Sequence, residues 1–544
     1  MFNQGPASLI AATYNDLYIG EIIDEMVHWD SLQCNLSPGT RIKALIINIF
    51  GQKKPLYRLP EFFKNIDTEN LFGKGVDPKD LTDYNMARAL DKLSERGPWE
   101  IYSTITCKAI CHEKINITRL HNDTTSVSLY GMYEDKTGKE FVITHGNSKD
   151  KRPDLKQFVY GLSVTPEKIP VCADVNSGNI SDKTWNFDFI EKLSETMDPE
   201  TLKNVIYVAD SALVTKNNLE KMAQHGLSYI SRLPGNFSIE KELKRKAWEA
   251  EEKFSELGYF SDKKDAAFYR VQEFQEDLYG KVYRFLVIHS TKLDGRKTRS
   301  LQKKLLLAEK ELQKAISQME KSSFACEPDA KVALDEFQRQ HKNDFYPLKG
   351  EVITVEKKGP GRPSKNNKTI TNFALKIEYV RDDFAIQKAK EQLSCFVLIT
   401  NIGKTHTAEQ ILKEYKAQSN VETSFKFLKD PLFVGPIYLK KPSRVEALAY
   451  VFLIALLIFG VLEHRVREAM KNETEPLIIP GNVKTFKPTG KKILETVETV
   501  LVMTTTDPYK RAYSSDYVIP RILGLAGFNG DIYLNVPKAS EKFP

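Results

Sequence analysis

One segment constrains the fold of this chain more than any other, the uninterrupted apolar run ALAYVFLIALLIFGVL at residues 447–462. The run is shorter than the ~20 residues that a membrane span needs. Charged residues also enclose it, with Arg444 and Glu446 before it and Glu463 and Arg465 after it. Outside a membrane, a helix that is apolar on every side must be buried on every side. The run therefore predicts a helix at the centre of a large core, and no membrane span.

Length and composition exclude several classes of protein. A chain of 544 residues suggests about three or four domains. The content of 41% hydrophobic and 28% charged residues excludes wholesale disorder, and six cysteines in such a length do not make a disulfide scaffold. The N-terminus MFNQGPASLI lacks the basic region of a signal peptide, so we expect a cytoplasmic protein with reduced thiols. A formal net charge of +7 permits a polyanionic partner without requiring one.

The succession of local patterns divides the chain into five regions. Residues 1–110 show apolar positions at helical spacing, whereas 111–235 reads as several strands followed by helix, strand, helix and strand. Residues 236–390 break that pattern with a hairpin, two helices and further strands, and 391–470 return to a core strand and two helices. The tail, 471–544, is mixed. The expected fold class is α/β: a mixed sheet with flanking helices, a large α+β insertion and an N-terminal helical domain.

Several details of local structure follow from capping and turn signals. Asp83 is the predicted N-cap of a helix that stops at Gly97. Within the insertion, a hairpin should turn at Tyr279–Gly280, and a long polar helix should run over about 296–321. A second helix after it could fold back to form a helical hairpin. One continuous helix is predicted from about 407 to 429.

Three carboxylates occupy positions that suit catalysis. Asp123 lies on the first strand of the α/β region, and Asp210 ends the strand NVIYVAD, where open α/β sheets tend to form sites. Glu422 lies on the helix that follows the insertion. Hard divalent cations need oxygen ligands, and two ions about 3.5–4 Å apart need shared carboxylates. A single Asp or Glu is usually surface charge, so the three are informative only together. His121 shares a strand face with Asp123 by alternation.

The helix around Glu422 carries a polar stripe. Tyr415, Gln418, Glu422, Lys426 and Lys429 fall within about 80° of one another around a single helix. A stripe facing a core would be apolar. The stripe therefore indicates either a solvated face with internal charge pairs or a metal ligand surrounded by groups that hold phosphates.

These segments resemble DDE insertion-sequence transposases of the kind with a Tyr-x2-Arg-x3-Glu-x6-Lys signature on the helix of the catalytic glutamate. Tyr415, Glu422 and Lys429 match that signature, and Gln418 stands where the pattern has Arg. LHNDTTSVSLYGMY and VIYVADSAL resemble the strands of the two catalytic aspartates, and HGNSKDKRPDLKQFVYGL resembles the basic turn of the family. The N-terminal helices and the apolar helix also resemble segments of this family. The resemblance covers most of the chain and is weakest in the insertion and the tail.

The resemblance implies an RNase H-like catalytic core and a specific function. Asp123, Asp210 and Glu422 would form a catalytic triad that holds two Mg²⁺ ions, with Mn²⁺ as a substitute. The protein would be the transposase of an insertion sequence, which cuts the element ends and joins them to target DNA by two-metal-ion phosphoryl transfer. Its first partner would be double-stranded DNA, namely the terminal inverted repeats and the target. A second copy of the chain would complete a homodimer in the DNA complex. It would act at the prokaryotic nucleoid, and the N-terminal helices would recognise the ends.

Further DNA contacts are predicted in two basic segments. One is the turn near Asp123, whose candidate residues are Lys149, Lys151, Arg152 and Lys156. These join Tyr415, Gln418, Lys426 and Lys429 of the stripe. The other is KKGPGRPSK, in which Arg362 lies within a Gly-Arg-Pro core similar to an AT-hook. A solvated loop remains the alternative for both segments.

Two other functions are open on the sequence. A domesticated or inactive transposase-derived DNA-binding protein would keep the fold and lose catalysis, and the replacement at Gln418 is the feature that supports it. A structural protein built around a helical hairpin at 296–340 would leave the polar stripe unexplained. Divalent-cation-dependent DNA cleavage distinguishes all three.

Overall fold

The structure is a computed structural model. It describes residues 1–51, 54–133, 141–261, 264–292, 295–358, 369–429, 439–506, 509–514 and 516–537. The chain forms two compact units. The first comprises residues 1–231 and 410–544, and the second comprises 232–409. The N-terminal helices, the first strands and the C-terminal region thus share one unit, and the second unit corresponds to the insertion with short extensions on both sides.

The N-terminal part of the first unit is helical. Its helices are α1 (Ala7–Asp16), α2 (Ile19–Met26), α3 (Pro38–Phe50), α4 (Leu59–Phe63), α5 (Thr68–Phe72), α6 (Asp83–Arg96) and α7 (Pro98–Glu113), after a short strand β1 (Phe2–Asn3). Helix α6 begins one residue earlier than its acidic signal indicates, because the Thr82 hydroxyl accepts the backbone N–H of Asn85. Thr82 is therefore the N-cap, and the prediction of Asp83 was wrong. Gly97 ends the helix with φ 101°, as predicted.

The central sheet of the first unit has antiparallel and parallel parts. Its strands are β2 (Arg119–Leu129), β3 (Lys156–Val164), β4 (Pro170–Ser177), β5 (Ile206–Ala209) and β6 (Ser228–Arg232). They lie in the order β4-β3-β2-β5-β6, with β2, β3 and β4 antiparallel and β2, β5 and β6 parallel. The connecting helices are α8 (Asp182–Thr196), α9 (Pro199–Lys203) and α10 (Lys216–Gln224). The segment FVITHG at 141–146, which has the composition of a strand, forms only a single bridge, between Thr144 and Gln157.

The apolar run forms the centre of a long helix, α17 (Pro442–Met470). By length and composition it is the one helix among the described residues that could cross a membrane, but 89% of its most apolar window is buried inside the protein. The helix packs against α3, α6, α7 and β4, and the Tyr160 hydroxyl of β3 donates to the Ala449 carbonyl. The prediction of a helix buried in a core is confirmed. The N-terminal helices, the sheet and the C-terminal region share this core.

The C-terminal part of the first unit surrounds α17 with short elements. Two helices precede it, α15 (Ala408–Lys416), whose first two residues belong to the second unit, and α16 (Ser419–Lys429). The elements after it are β13 (Leu477–Ile479), β14 (Val483–Thr485), α18 (Gly490–Val497), β15 (Leu501–Thr506), β16 (Tyr509–Tyr513), α19 (Val518–Leu525) and α20 (Asp531–Leu534). Strand β15 lies between β1 and β16, so the two chain ends meet in one small sheet.

The second unit contains two sheets and four helices among its described residues. The elements are α11 (Ser238–Glu249), β7 (Ser255–Tyr259), β8 (Phe268–Leu278), β9 (Lys281–Ser290), α12 (Gly295–Met319), α13 (Glu327–Gln340), β10 (Leu348–Lys358), β11 (Thr369–Tyr379), α14 (Asp383–Leu393) and β12 (Cys395–Thr400). Tyr279 and Gly280 both have positive φ, which fits the tight turn predicted between β8 and β9. The apolar seam of α12 shares one core with α13 and β11, where Leu305, Leu334 and Leu375 are buried.

Candidate functional site

Asp123 and Asp210 lie side by side in the central sheet. Strands β2 and β5 are parallel, and Asn122 pairs with Ala209, so the next residue on each chain segment is an aspartate. Strand β5 ends there because the Asp210 carboxylate accepts the backbone N–H of Ala212 at 2.9 Å, which starts a 3₁₀ turn. The two carboxylates are therefore brought together by strand register, as the sequence order of the elements suggests.

The two aspartates are in an electrostatically unfavourable environment. Burial raises the pKa of Asp123 to about 6, against the opposing effect of the Lys149 ammonium, and the carboxylates of Asp210 and Asp182 add to the rise. Burial also raises the pKa of Asp210, to which the Asp182 carboxylate contributes. Carboxylates that are poorly hydrated and close to each other favour an added cation. The donor set therefore fits a hard divalent metal ion.

Asp182 is a third carboxylate at this place, and the sequence did not single it out. It occupies the first turn of α8, directly after the N-cap Ser181, and accepts a hydrogen bond from the Thr124 hydroxyl of β2. Acidic residues are common in the first turn of helices because they complement the helix dipole. Nothing in the local sequence therefore distinguished Asp182 from an ordinary helix start.

Lys149 points into the carboxylate cluster. Its backbone N–H donates to the Ser126 hydroxyl at 2.9 Å, which fixes the loop on β2. Its ammonium donates to the carbonyl and hydroxyl oxygens of Thr124 at 2.7 and 2.8 Å. The same nitrogen lies 3.5 Å from Asp123 Oδ1 and 3.3 Å from Asp182 Oδ2. Lys149 is thus an internal counter-ion of the cluster in this structure.

Glu422 differs from the aspartates in being exposed. Helix α16 packs on β2 and β3 through buried residues such as Val421 and Leu428, and Glu422 lies on its solvent side. Among the residues that the structure describes, the oxygens of Asp123, Asp210 and Glu422 do not all come within 4.8 Å of one another. Helix α16 thus packs against the strand of Asp123, but Glu422 does not form a cluster with both aspartates in this structure.

The polar stripe does not lie on one continuous helix, contrary to the sequence prediction. Residues 417–418 form a turn between α15 and α16. Tyr415 is half-buried on α15, whereas Glu422, Lys426 and Lys429 lie on α16. The angular argument for a single stripe therefore applies only to the last three residues.

Gln418, in the turn, faces the sheet. Its side-chain amide donates to the Asn122 carbonyl at 2.7 Å, next to Asp123 on β2. Its side-chain oxygen is buried, and so is His121 two residues before Asp123. Burial lowers the pKa of His121 to about 4, against a smaller opposing effect of Gln418, so the imidazole is neutral at pH 7. Gln418 ties the glutamate helix to the aspartate strand.

Three of the predicted DNA-contacting cations are held by groups of the protein itself. The Lys429 ammonium lies 2.5 Å from Asp150 Oδ1, and Arg152 lies 2.6 Å from the Asp154 carboxylate. Lys156 donates to the carbonyls of residues 132 and 133 at 2.6 and 3.0 Å. A phosphate would compete with these internal partners.

Two predicted cations are directed outward. Lys151 and Lys426 are exposed, and neither side chain has a partner among the described residues. Lys426 lies one helical turn after Glu422, on the same face of α16. The prediction for Arg362 falls on the segment 359–368, which lies outside the described residues.

A second carboxylate group in the first unit has a structural explanation. Asp16, His112 and Glu113 have ligand atoms within 4.8 Å of one another. The Arg465 guanidinium of α17 lies among them, 2.5 Å from Asp16 and hydrogen-bonded to Glu113. This cation neutralises the group, which therefore joins α1, α7 and α17 as an ion-pair network.

Comparison with known proteins gives two family matches. Residues 6–107 match a domain of unknown function, DUF4277. Residues 144–458 match the transposase DDE domain, a range that contains Asp210 and Glu422 and begins after Asp123. No curated protein matches. Among solved structures, the chain is similar to the piggyBac transposase in a cryo-EM synaptic complex with hairpin DNA, with 9% identity over 90% of this chain and 79% of that chain and a TM-score of 0.41.

Proposed function

Since this chain belongs to the transposase DDE domain family and is a DNA transposase, we propose that Asp123, Asp210 and Glu422 are the ligands of its catalytic metal ions. Enzymes of this family use divalent metal ions. The observation that supports the assignment is the adjacent pair of half-buried aspartates, whose pKa values are raised chiefly by burial and further by neighbouring carboxylates. We propose two Mg²⁺ ions, with Mn²⁺ as a substitute, because the donors are all carboxylate oxygens.

We also propose that the first unit contains an RNase H-like core. Its strand order β4-β3-β2-β5-β6, antiparallel for the first three strands and parallel for the last three, supports this assignment. Asp123 on β2 and Asp210 after β5 are the central positions of that order. Helix α16 carries Glu422 against the same strands, and the second unit would be an insertion between Asp210 and Glu422.

Different residues of the chain would have different roles in phosphoryl transfer. Bound divalent ions would lower the pKa of an attacking hydroxyl and stabilise the leaving oxygen. Asp123 and Asp210 would hold those ions, because the sheet fixes the backbone of both residues. Glu422 is exposed, so it can approach the scissile phosphate from the DNA side. Lys426, one turn further along α16, would bind the phosphate backbone of the DNA strand that contains the scissile phosphate.

We propose the terminal inverted repeats of an insertion sequence, and then target DNA, as the substrates. Residues 1–110 would recognise the ends, and two copies of the chain would act together at the prokaryotic nucleoid. Lys151 is available for a phosphate, whereas Lys149, Arg152, Lys156 and Lys429 would first release their internal partners. Tyr415 and Gln418 would support the glutamate helix, and Gln418 would do so through β2 and not through DNA.

The test is strand nicking of a plasmid that carries the ends flanking this gene, with Mg²⁺ or Mn²⁺. We expect nicking at the ends by the wild type and none by Glu422→Gln. Glu195→Gln is the matched control, because Glu195 is exposed at the far end of α8. An Asp210→Ala protein that still cleaves would contradict the assignment. Specific end binding without nicking under either metal would instead favour the domesticated DNA-binding protein.

A further inference from the structure

We propose that Lys149 couples metal binding to DNA binding. Its ammonium neutralises Asp123 and Asp182 in the DNA-free protein, and it moves to a DNA phosphate when divalent ions bind. The inference depends on the proposed function, because it assumes that Asp123 is a metal ligand. It assigns Lys149 a role that a lysine with only a phosphate contact would not have.

The first step is the position of the ammonium. Lys149 Nζ lies within 3.5 Å of Asp123 and within 3.3 Å of Asp182, and it donates to both oxygens of Thr124. The ammonium therefore places a positive charge beside Asp123, the proposed metal ligand. A divalent ion bound to Asp123 would repel an ammonium group at this distance. Lys149 consequently competes with the metal in the DNA-free protein.

The second step is the mobility of the side chain relative to its backbone. The bond from the Lys149 N–H to Ser126 holds the loop on β2, so the Cα position is set independently of the ammonium. The side chain is 32% exposed, and the next lysine, Lys151, is also exposed. Rotation of the long side chain can therefore bring the ammonium to solvent without movement of the strand.

The third step is the partner that receives the ammonium. A DNA phosphate close to the site offers a full negative charge in place of the carboxylates that the metal takes over. When DNA binds the Lys149 ammonium, that ammonium no longer competes with the metal ion for Asp123. By linkage, DNA and metal must then strengthen each other's binding by the same factor. If Lys149 contacted only DNA, its replacement would not change the affinity of the protein for metal in the absence of DNA.

The experiment measures metal binding by the full chain without DNA, by calorimetric titration with Mn²⁺. Lys149→Gln removes the charge and keeps a hydrogen-bond donor for Thr124, and Lys149→Met provides a second, apolar variant. The matched control is Lys183→Gln, because Lys183 follows Asp182, is exposed and has no described side-chain partner. We expect both Lys149 variants to bind Mn²⁺ on the order of tenfold more tightly than the wild type. Lys183→Gln should bind as the wild type does.

A second measurement tests the coupling itself. Binding of a labelled duplex that carries one element end is followed by fluorescence anisotropy, in EDTA and in Ca²⁺, over a range of salt concentrations. The wild type should bind DNA more tightly in Ca²⁺, and Lys149→Gln should lose most of that gain. In Ca²⁺, the salt dependence of DNA binding should also be smaller for Lys149→Gln than for the wild type, by about one phosphate contact.

The outcomes separate this inference from the proposed function. If Asp210→Asn abolishes Mn²⁺ binding but neither Lys149 variant strengthens it, the coupling is wrong and the metal site stands. If Asp210→Asn binds Mn²⁺ as tightly as the wild type, the proposed metal site fails, and the coupling fails with it. Thermal unfolding of each variant in EDTA verifies that the affinities refer to folded protein.

Discussion

The two halves of the proposed metal site are built in different ways. Asp123 and Asp210 are side by side on parallel strands, half-buried, and in an environment that disfavours their charges. Glu422 is exposed on a helix that begins directly after a turn. The aspartate half is therefore set by backbone hydrogen bonds, whereas the glutamate half depends on side-chain contacts of α16. Such a division leaves the glutamate able to adjust when DNA and metal bind.

The contacts at the two ends of α16 show how the glutamate half is held. Gln418 bonds the backbone of β2 before the first turn, and Lys429 bonds Asp150 at the last residue. Asp150 is adjacent in sequence to Lys149, which bonds the aspartate half. One loop between β2 and β3 therefore contacts both halves. A change in this loop should affect the aspartates and the glutamate together.

The largest expected effects come from removing the ligands, and they should differ between the halves. Asp210→Asn should lower the cleavage rate by at least about 10³-fold and also abolish metal binding without DNA. Glu422→Gln should lower cleavage as strongly but retain most metal binding, because its carboxylate is exposed and does not form a group with both aspartates within 4.8 Å in the DNA-free protein. Cleavage assays and Mn²⁺ titration provide the two readouts. Equal loss of metal binding in both variants would show that the glutamate is already part of the site.

The next effect is on stability and depends on pH. The pKa of Asp123 is raised from 3.8 to about 6, so its proton stabilises the folded state below pH 3.8, and this contribution is lost as the pH rises through 6. Asp123→Asn avoids that loss and should exceed the wild type in stability above pH 6 by up to about 3 kcal/mol. Urea unfolding in EDTA at pH 4.5, 6 and 7.5 measures the trend. A stability difference between Asp123→Asn and the wild type that does not change with pH would contradict this prediction.

A smaller effect is expected where the two halves meet. Gln418→Ala removes the hydrogen bond to the Asn122 carbonyl and should cost about 1 kcal/mol of unfolding free energy. Gln224→Ala, at an exposed position on α10, should change stability by less than about 0.5 kcal/mol. Urea unfolding at constant pH compares the two. A neutral Gln418→Ala would mean that packing alone holds α16 on the sheet.

The smallest effects distinguish the two lysines of α16. Lys429→Met loses an ion pair with Asp150 and should cost about 0.5 kcal/mol, whereas Lys426→Met should leave stability unchanged. Both should weaken DNA binding and reduce its salt dependence by about one phosphate. Salt-dependent anisotropy titrations test this. A larger loss of DNA affinity for Lys429→Met than for Lys426→Met would show that the Asp150 pair is not a competitor of DNA.

Sequence patterns predicted the fold well where they report local periodicity. The buried helix, the order of strands and helices from β2 to β6 and the turn at Tyr279–Gly280 follow from apolar spacing and turn chemistry. The predictions were wrong at boundaries. Thr82 replaces Asp83 as the N-cap, and the long helix is broken at residues 417–418. The first of these boundaries is decided by one hydrogen bond from the Asn85 N–H to the Thr82 hydroxyl, which periodicity does not encode.

The sequence by itself determined that a large core surrounds residues 447–462 and that Asp123, Asp210 and Glu422 are the candidate ligands. Only the tertiary structure decided that Asp182 and Lys149 join the aspartates, and that Gln418 faces a strand and not the solvent. The physical reason is that burial patterns and motifs are properties of neighbouring residues. The partners of a charged or polar side chain depend instead on which distant segments the core brings within hydrogen-bonding distance.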